Sequence, residues 1–137
     1  MTTVSAPGKV HLMGEHAVVY GKPALLSAVN LRLLVSIEEG KSEIIAPAPE
    51  VADVVYHAMD VVRREYKLSE LPDFRVTIVS DIPFGFHLGS SAALAVATVG
   101  ATIYAVKKQW NPVLINQLAY EVEKKQHGNP SGGDNTA

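Results

Sequence analysis

Residues 82–93, Ile-Pro-Phe-Gly-Phe-His-Leu-Gly-Ser-Ser-Ala-Ala, place a glycine-punctuated turn and two serines between a β-branched segment and a long apolar one. Such a turn at a helix start aims free backbone N–H groups, about half a unit of positive dipole charge and two hydroxyls at one spot. A phosphate group and its magnesium ion suit that spot. The run is not a Walker sequence, because Gly-Lys-Ser/Thr is missing, and it lacks the three-glycine spacing of a dinucleotide fingerprint. The structural alternative is a tight strand-to-helix connection in which glycine relieves sterics and Ser90 caps the helix.

Two further clusters could face this turn. Residues 5–21 set Lys9, Glu15 and His16 among Gly8, Gly14 and Gly21. A lysine on an early buried strand can serve a phosphate or shift the pKa of a neighbour; a hairpin with exposed polar side chains is the plainer alternative. Residues 121–134 hold Glu123 near a helix end and Asp134 beyond a turn. Phosphoryl transfer needs hard oxygen ligands for magnesium and a group that orients or deprotonates the attacking hydroxyl. One carboxylate for each task fits that division, against an exposed helix glutamate and an ordinary Gly-Asp turn.

The elements that must position these residues are legible from their periods. Leu31, Leu33, Val35 and Ile37 alternate as a strand with one buried face, Glu39-Gly40-Lys41 makes a turn, and Ser42–Ile45 is expected to return as its hairpin partner. From Glu50 to Tyr66, Val51, Val54, Val55, Ala58, Val62 and Tyr66 recur at helical steps, with Asp60, Arg63, Arg64 and Glu65 outside. Phe74, Val76 and Ile78 alternate in a strand that leads into the glycine turn. After the apolar helix, Asn111-Pro112 reads as a cap followed by proline at the first helical position, with Leu114, Ile115, Leu118 and Val122 inward and an end near Gly128. This order favours an α+β fold, a mixed, mostly antiparallel sheet with helices packed on one face, over a doubly wound one.

A hydrophobic content of 47% over 137 residues supports one globular domain with a real core. Net charge is −2, which carries no footprint of nucleic-acid binding, and Lys107-Lys108 and Lys124-Lys125 fit solvated helix faces. The absence of cysteine excludes disulfides, thiolate zinc sites and cysteine nucleophiles. Met1-Thr2-Thr3-Val4 has neither the basic region nor the apolar run of a secretory signal. Ala92–Val106 is the most apolar stretch, but it falls short of a span, contains Thr98 and Gly100, and is expected to be a core helix. A soluble, cytoplasmic protein that binds neither nucleic acid nor membrane is the expectation.

Three segments together carry a family resemblance. They are Pro-Gly-Lys-Val-His-Leu-Met-Gly-Glu-His-Ala-Val-Val-Tyr-Gly-Lys-Pro-Ala, Leu-Gly-Ser-Ser-Ala-Ala and His-Gly-Asn-Pro-Ser-Gly-Gly-Asp-Asn. They resemble the first two motifs and the substrate loop of the GHMP kinases, and most of all those members that phosphorylate mevalonate. The galactose-specific pattern would have Arg-x-Asn where Pro7-Gly8-Lys9 stands, and homoserine kinases match less well at Gly14–Gly21 and at Pro130–Asp134. The similarity spans nearly the whole chain.

The resemblance implies transfer of the γ-phosphoryl group of ATP, with Mg2+, to the primary hydroxyl of mevalonate, as a step of isoprenoid precursor synthesis. It implies Asp134 as the base or orienting group and Lys9 beside it, favouring the ionised carboxylate and the transferring phosphate. Ser91 and Glu123 would hold magnesium. Gly85, His87, Leu88, Gly89, Ser90, Ser91 and Ala92 would lie along the nucleotide phosphates, and Glu15 and His16 would line the mevalonate side with Lys9 and Asp134. The implied fold is that of the N-terminal GHMP domain, similar to ribosomal protein S5 domain 2, with a left-handed βαβ crossover. The implied partners are ATP and a small alcohol, and a homodimer is one assembly the resemblance allows.

Two departures qualify it. Phe86 and His87 replace a small residue and a glycine of the family loop, where a Cβ obstructs approach to phosphate, so a displaced or weakened ATP loop is expected. The family's C-terminal domain is missing after Asp134, so residues 1–137 are expected to form the N-terminal domain, weakly active or inactive alone. Phosphomevalonate, galactose or homoserine kinase chemistry, a ligand-binding sensor, and an incomplete gene product stand as alternatives.

Overall fold

The computed structural model describes residues 1–14, 20–84, 89–127 and 136. Within them the chain runs β1 (Thr2–Met13), β2 (Leu25–Glu39), β3 (Glu43–Ile45), α1 (Pro49–Glu65), β4 (Phe74–Ser80), α2 (Ser90–Lys107) and α3 (Pro112–His127). The strands form one mixed sheet in the order β1-β2-β4-β3. The architecture is the α+β arrangement expected from the element order.

β2 is the sheet's axis. Its alternation sends Leu33, Val35 and Ile37 into the core, and the antiparallel register sets Val35 opposite Ile78 and Ile37 opposite Val76 of β4. On its other side β2 pairs antiparallel with β1, from Thr2↔Ile37 to Pro7↔Arg32. Proline offers no N–H to a ladder, and the register breaks directly after Pro7: Lys9 faces Ala28. The break frees the second half of β1 from the regular alternation of the first.

The expected hairpin return of Ser42–Ile45 is overturned. β3 pairs parallel with β4, through Glu43↔Arg75 and Ile45↔Thr77. The reason is occupancy: β1 already covers one edge of β2 and β4 the other over residues 33–39. Only the outer edge of β4 is open to β3, and α1 supplies the crossover between these two parallel strands.

α1 starts with Pro49, where a missing N–H costs nothing, and buries Val51, Val54, Val55, Ala58, Val61 and Val62. Each of these valine side chains contributes up to roughly 1.5–3 kcal/mol by leaving water. α2 is apolar all round because it is enclosed; its buried residues run unbroken from Ala92 to Ala95 and from Ala97 to Ile103. By length and composition alone α2 could cross a membrane, but 67% of it is buried inside the protein, as a core helix is. The buried Thr102 hydroxyl donates to the Thr98 carbonyl at 2.7 Å, whereas the buried Thr98 hydroxyl has no hydrogen-bond partner among the described residues. α3 opens as its sequence suggests: Asn111 Oδ1 accepts the Leu114 N–H at 3.2 Å, with Pro112 in the first helical position.

Candidate active site at the start of helix α2

Helix α2 begins without a side-chain cap. The residue at its N-cap is Gly89, at φ +76°, and Ser90 is already helical, so Ser90 does not act as the cap. The first helical bond runs from the Ala93 N–H to the Gly89 carbonyl at 2.9 Å. The N–H groups of Ser90, Ser91 and Ala92 therefore lie ahead of the hydrogen-bonded ladder, where a helix presents its positive end.

Two buried charged side chains meet this helix start from different elements. Lys9 comes from β1, just beyond the register break, and is only 6% exposed. Its methylene stem lies directly against the backbone of Gly89, so close that a side chain on that glycine would collide with it. Glu123 comes from the last turns of α3 and is 4% exposed. The Ser91 hydroxyl donates to Glu123 Oε1 at 3.1 Å, tying α2 to α3. α3 delivers the carboxylate inward because Glu123 follows Val122 on the stripe that also buries Ile115, Leu118 and Ala119.

Of the residues singled out in the sequence, Lys9, Gly89, Ser90, Ser91, Ala92 and Glu123 are thus brought to one end of α2. Glu15, His16, Gly85, Phe86, His87, Leu88 and Asp134 lie outside the described residues. Gly14, the last described residue before Glu15, sits at φ +82°; a Cβ there would stand 2.5 Å from the Pro23 carbonyl oxygen. The strand end is therefore pressed onto residues 23–24, and only glycine fits.

The sequence carried no signal for two features. One is the contact of Lys9 with Gly89, which joins residues eighty positions apart. The other is His11, half-buried and two residues beyond Lys9 in unbroken register with β2, which the alternation of a strand places on the same side as Lys9. Nothing in its local pattern separates His11 from its neighbours.

Chemically, the arrangement offers two hard oxygen donors, the Ser91 hydroxyl and the Glu123 carboxylate, within hydrogen-bond distance of each other. That donor set fits a magnesium ion, which favours oxygen ligands and few protein groups. A lysine and a helix N-terminus beside them offer positive charge to phosphate oxygens. Among the described residues no cluster of three or more His, Cys, Asp or Glu side chains forms a metal cage.

Comparison with known proteins bears on the family and the fold. Residues 53–137 match the model of the GHMP kinases N-terminal domain. The chain is 39% identical over 134 residues to mevalonate kinase from Archaeoglobus fulgidus, covering 95% of this chain and 47% of that protein. It is 36% identical to mevalonate kinase from Pyrococcus abyssi, covering 99% of this chain and 48% of the relative. The crystal structure of the Methanococcus jannaschii mevalonate kinase superposes with a TM-score of 0.85 at 27% identity, over 98% of this chain and 50% of that one. The chain spans about half the length of the relatives it matches. On the family match and the shared fold, the chain belongs to the GHMP kinases.

Proposed function

We propose that this chain forms the phosphate-handling part of an ATP-dependent kinase whose acceptor is the primary hydroxyl of mevalonate. The observation that carries the reading is the burial of Lys9 and Glu123 around the uncapped start of α2, with the half-buried Ser91 hydroxyl 3.1 Å from the carboxylate. Burying charge is costly even where it is paired, and Lys9 and Glu123 stand where a polyphosphate and a cation would meet. The similarity to mevalonate kinases at 36–39% identity supports mevalonate as the acceptor.

On this reading the α2 N–H groups of Ser90, Ser91 and Ala92 receive phosphate oxygens, and the Lys9 ammonium offsets negative charge on the group in transit. Ser91 and Glu123 would hold Mg2+, which when bound neutralises the charge of the ATP phosphates. Asp134 orients or deprotonates the hydroxyl, and Glu15 and His16 line the acceptor side; these three assignments rest on the motifs they belong to. No covalent phospho-enzyme is needed, since positioning and charge neutralisation carry the step.

Calorimetry with ATP and radiolabel transfer to mevalonate test the proposal together. Magnesium-dependent ATP binding is expected, abolished by EDTA and restored by added Mg2+, with slow phosphorylation of mevalonate by the 137-residue chain. Absence of ATP binding in the presence of Mg2+ would overturn the reading. Because weak or absent turnover is expected of these residues alone, ATP binding with no calorimetric binding of mevalonate is the outcome that would replace the kinase with a nucleotide sensor.

A further inference from the structure

We infer that Gly89 is a positioning residue for Lys9: its bare Cα is the wall against which the lysine stem is laid, and this sets where the ammonium reaches. The inference rests on the role proposed above for Lys9 and adds to it a second residue and a cause.

Two separate demands fall on position 89. The backbone is left-handed, at φ +76°, which favours glycine but is also tolerated by asparagine. The second demand is space. A Cβ at this position would stand 2.8 Å from Lys9 Cγ, 3.3 Å from Cε and 3.6 Å from Cδ. Carbon atoms pack best at about 3.5–4.0 Å, so the first contact is a collision and the second is tight.

The colliding atom matters. Cγ is at the root of the side chain, so the clash cannot be relieved by swinging the terminal ammonium alone. It requires a new χ1, which carries the whole stem elsewhere. The backbone of Lys9 is held by its pairing with Ala28, and the side chain is buried. A dense interior leaves few alternative rotamers there. Any Cβ at position 89 is therefore expected to displace the lysine before it meets a nucleotide. The glycine of the turn serves the lysine of the first strand.

A double-mutant cycle in urea tests the packing directly. Gly89→Ala is expected to lower the folding equilibrium constant about tenfold more in the parent than in a Lys9→Ala background, where no stem remains. The left-handed backbone penalises alanine equally in both backgrounds, so additive effects mean that φ alone explains the glycine, and the inference falls. If Gly89→Ala does not fold, recovery of the fold on adding Lys9→Ala supports the inference and continued unfolding overturns it.

The functional arm uses Gly89→Asn, which relieves the φ penalty and keeps the Cβ. The expected result is kcat reduced about tenfold or more with KM for ATP within about twofold, the split of an interaction that acts in the transition state. A raised KM for ATP with kcat preserved would show that the glycine clears space for nucleotide, and would overturn the inference. If the parent protein binds no ATP with Mg2+, the proposed function fails, while the urea cycle still decides whether Gly89 places Lys9.

Discussion

Charge is handled in opposite ways at the two edges of the sheet. Along β3, β4 and α1, charged groups are paired in the open. Arg75 reaches Glu43 at 3.1 Å and Glu38 at 3.8 Å, and Asp60 is gripped by Arg63 at 2.8 Å and Arg64 at 3.1 Å, with each side chain about a third or more exposed. Near β1 and the start of α2, Lys9 and Glu123 are almost wholly buried. Exposed pairs of the first kind are worth about 0–1 kcal/mol each. Charges of the second kind cost several kcal/mol in lost hydration, and their attraction does not reliably offset it. A fold gains little from such burial, so the buried charges call for a reason other than stability and the plentiful surface pairs do not.

The sharpest way to break that comparison is Glu123→Gln. The amide keeps the shape and can still accept from Ser91, but it removes the charge that would hold a cation. Phosphoryl transfer is expected to fall about 100-fold or more, equivalent to ~2.7 kcal/mol of transition-state stabilisation. Steady-state kinetics over a range of Mg2+ would measure it. A loss below about threefold would mean that Glu123 is buried for structural reasons alone.

A smaller effect is expected from a half-buried group whose charged form is disfavoured. His57, on α1, has its Nε2 enclosed without a hydrogen-bond partner. Burial pushes its pKa below the ordinary 6.5; Lys125 of α3 and Arg64 push the same way, and Asp60 opposes them. The folded protein therefore binds fewer protons at His57 than the unfolded chain does. Stability from this group is complete above the unfolded value and is lost as pH falls through about 6.5 toward the lower folded value. The urea midpoint should drop between about pH 7.5 and about pH 5.5. His57→Gln should flatten that drop, and an unchanged slope would show that α1 and α3 accommodate the imidazolium freely.

Much of this was readable from residue order, and the parts that were not share a cause. The stripe of α1, the alternation of β4 and the Asn111-Pro112 start of α3 follow from local periods and capping, which depend on neighbours in sequence. The resemblance found in the three segments was shown in the family match and in the fold. The pairing of β3 was missed because it depends on which edges β1 and β4 leave open, a property of the whole sheet. The alternative that Ser90 merely caps the helix fails, because the left-handed Gly89 takes that position and leaves the serine inside the helix. The Ser91–Glu123 pair was anticipated as two ligands, whereas the Lys9–Gly89 contact needs β1 and the turn in one frame. Sequence spacing reports what a residue could do; only packing reports what it must avoid.

The smallest expected effect completes the contrast. Asp60 accepts from Arg63, and this hydrogen bond, the largest influence, holds its carboxyl below the ordinary carboxylate value. Any stability it contributes is present above the unfolded value and is lost as pH falls through the folded one. Solvent screens the pair, since Asp60 is 44% exposed. Arg63 also donates to the Leu68 carbonyl at 3.0 Å, a bond that pins the chain after α1 and survives loss of the carboxylate charge. Asp60→Asn should therefore cost no more than about 1 kcal/mol by urea unfolding at neutral pH, and less in about 1 M salt. It should leave turnover unchanged. A cost above about 2 kcal/mol that persists in salt would place a structurally essential charge on the open edge, and exposure would no longer separate its ion pairs from the buried charges near α2.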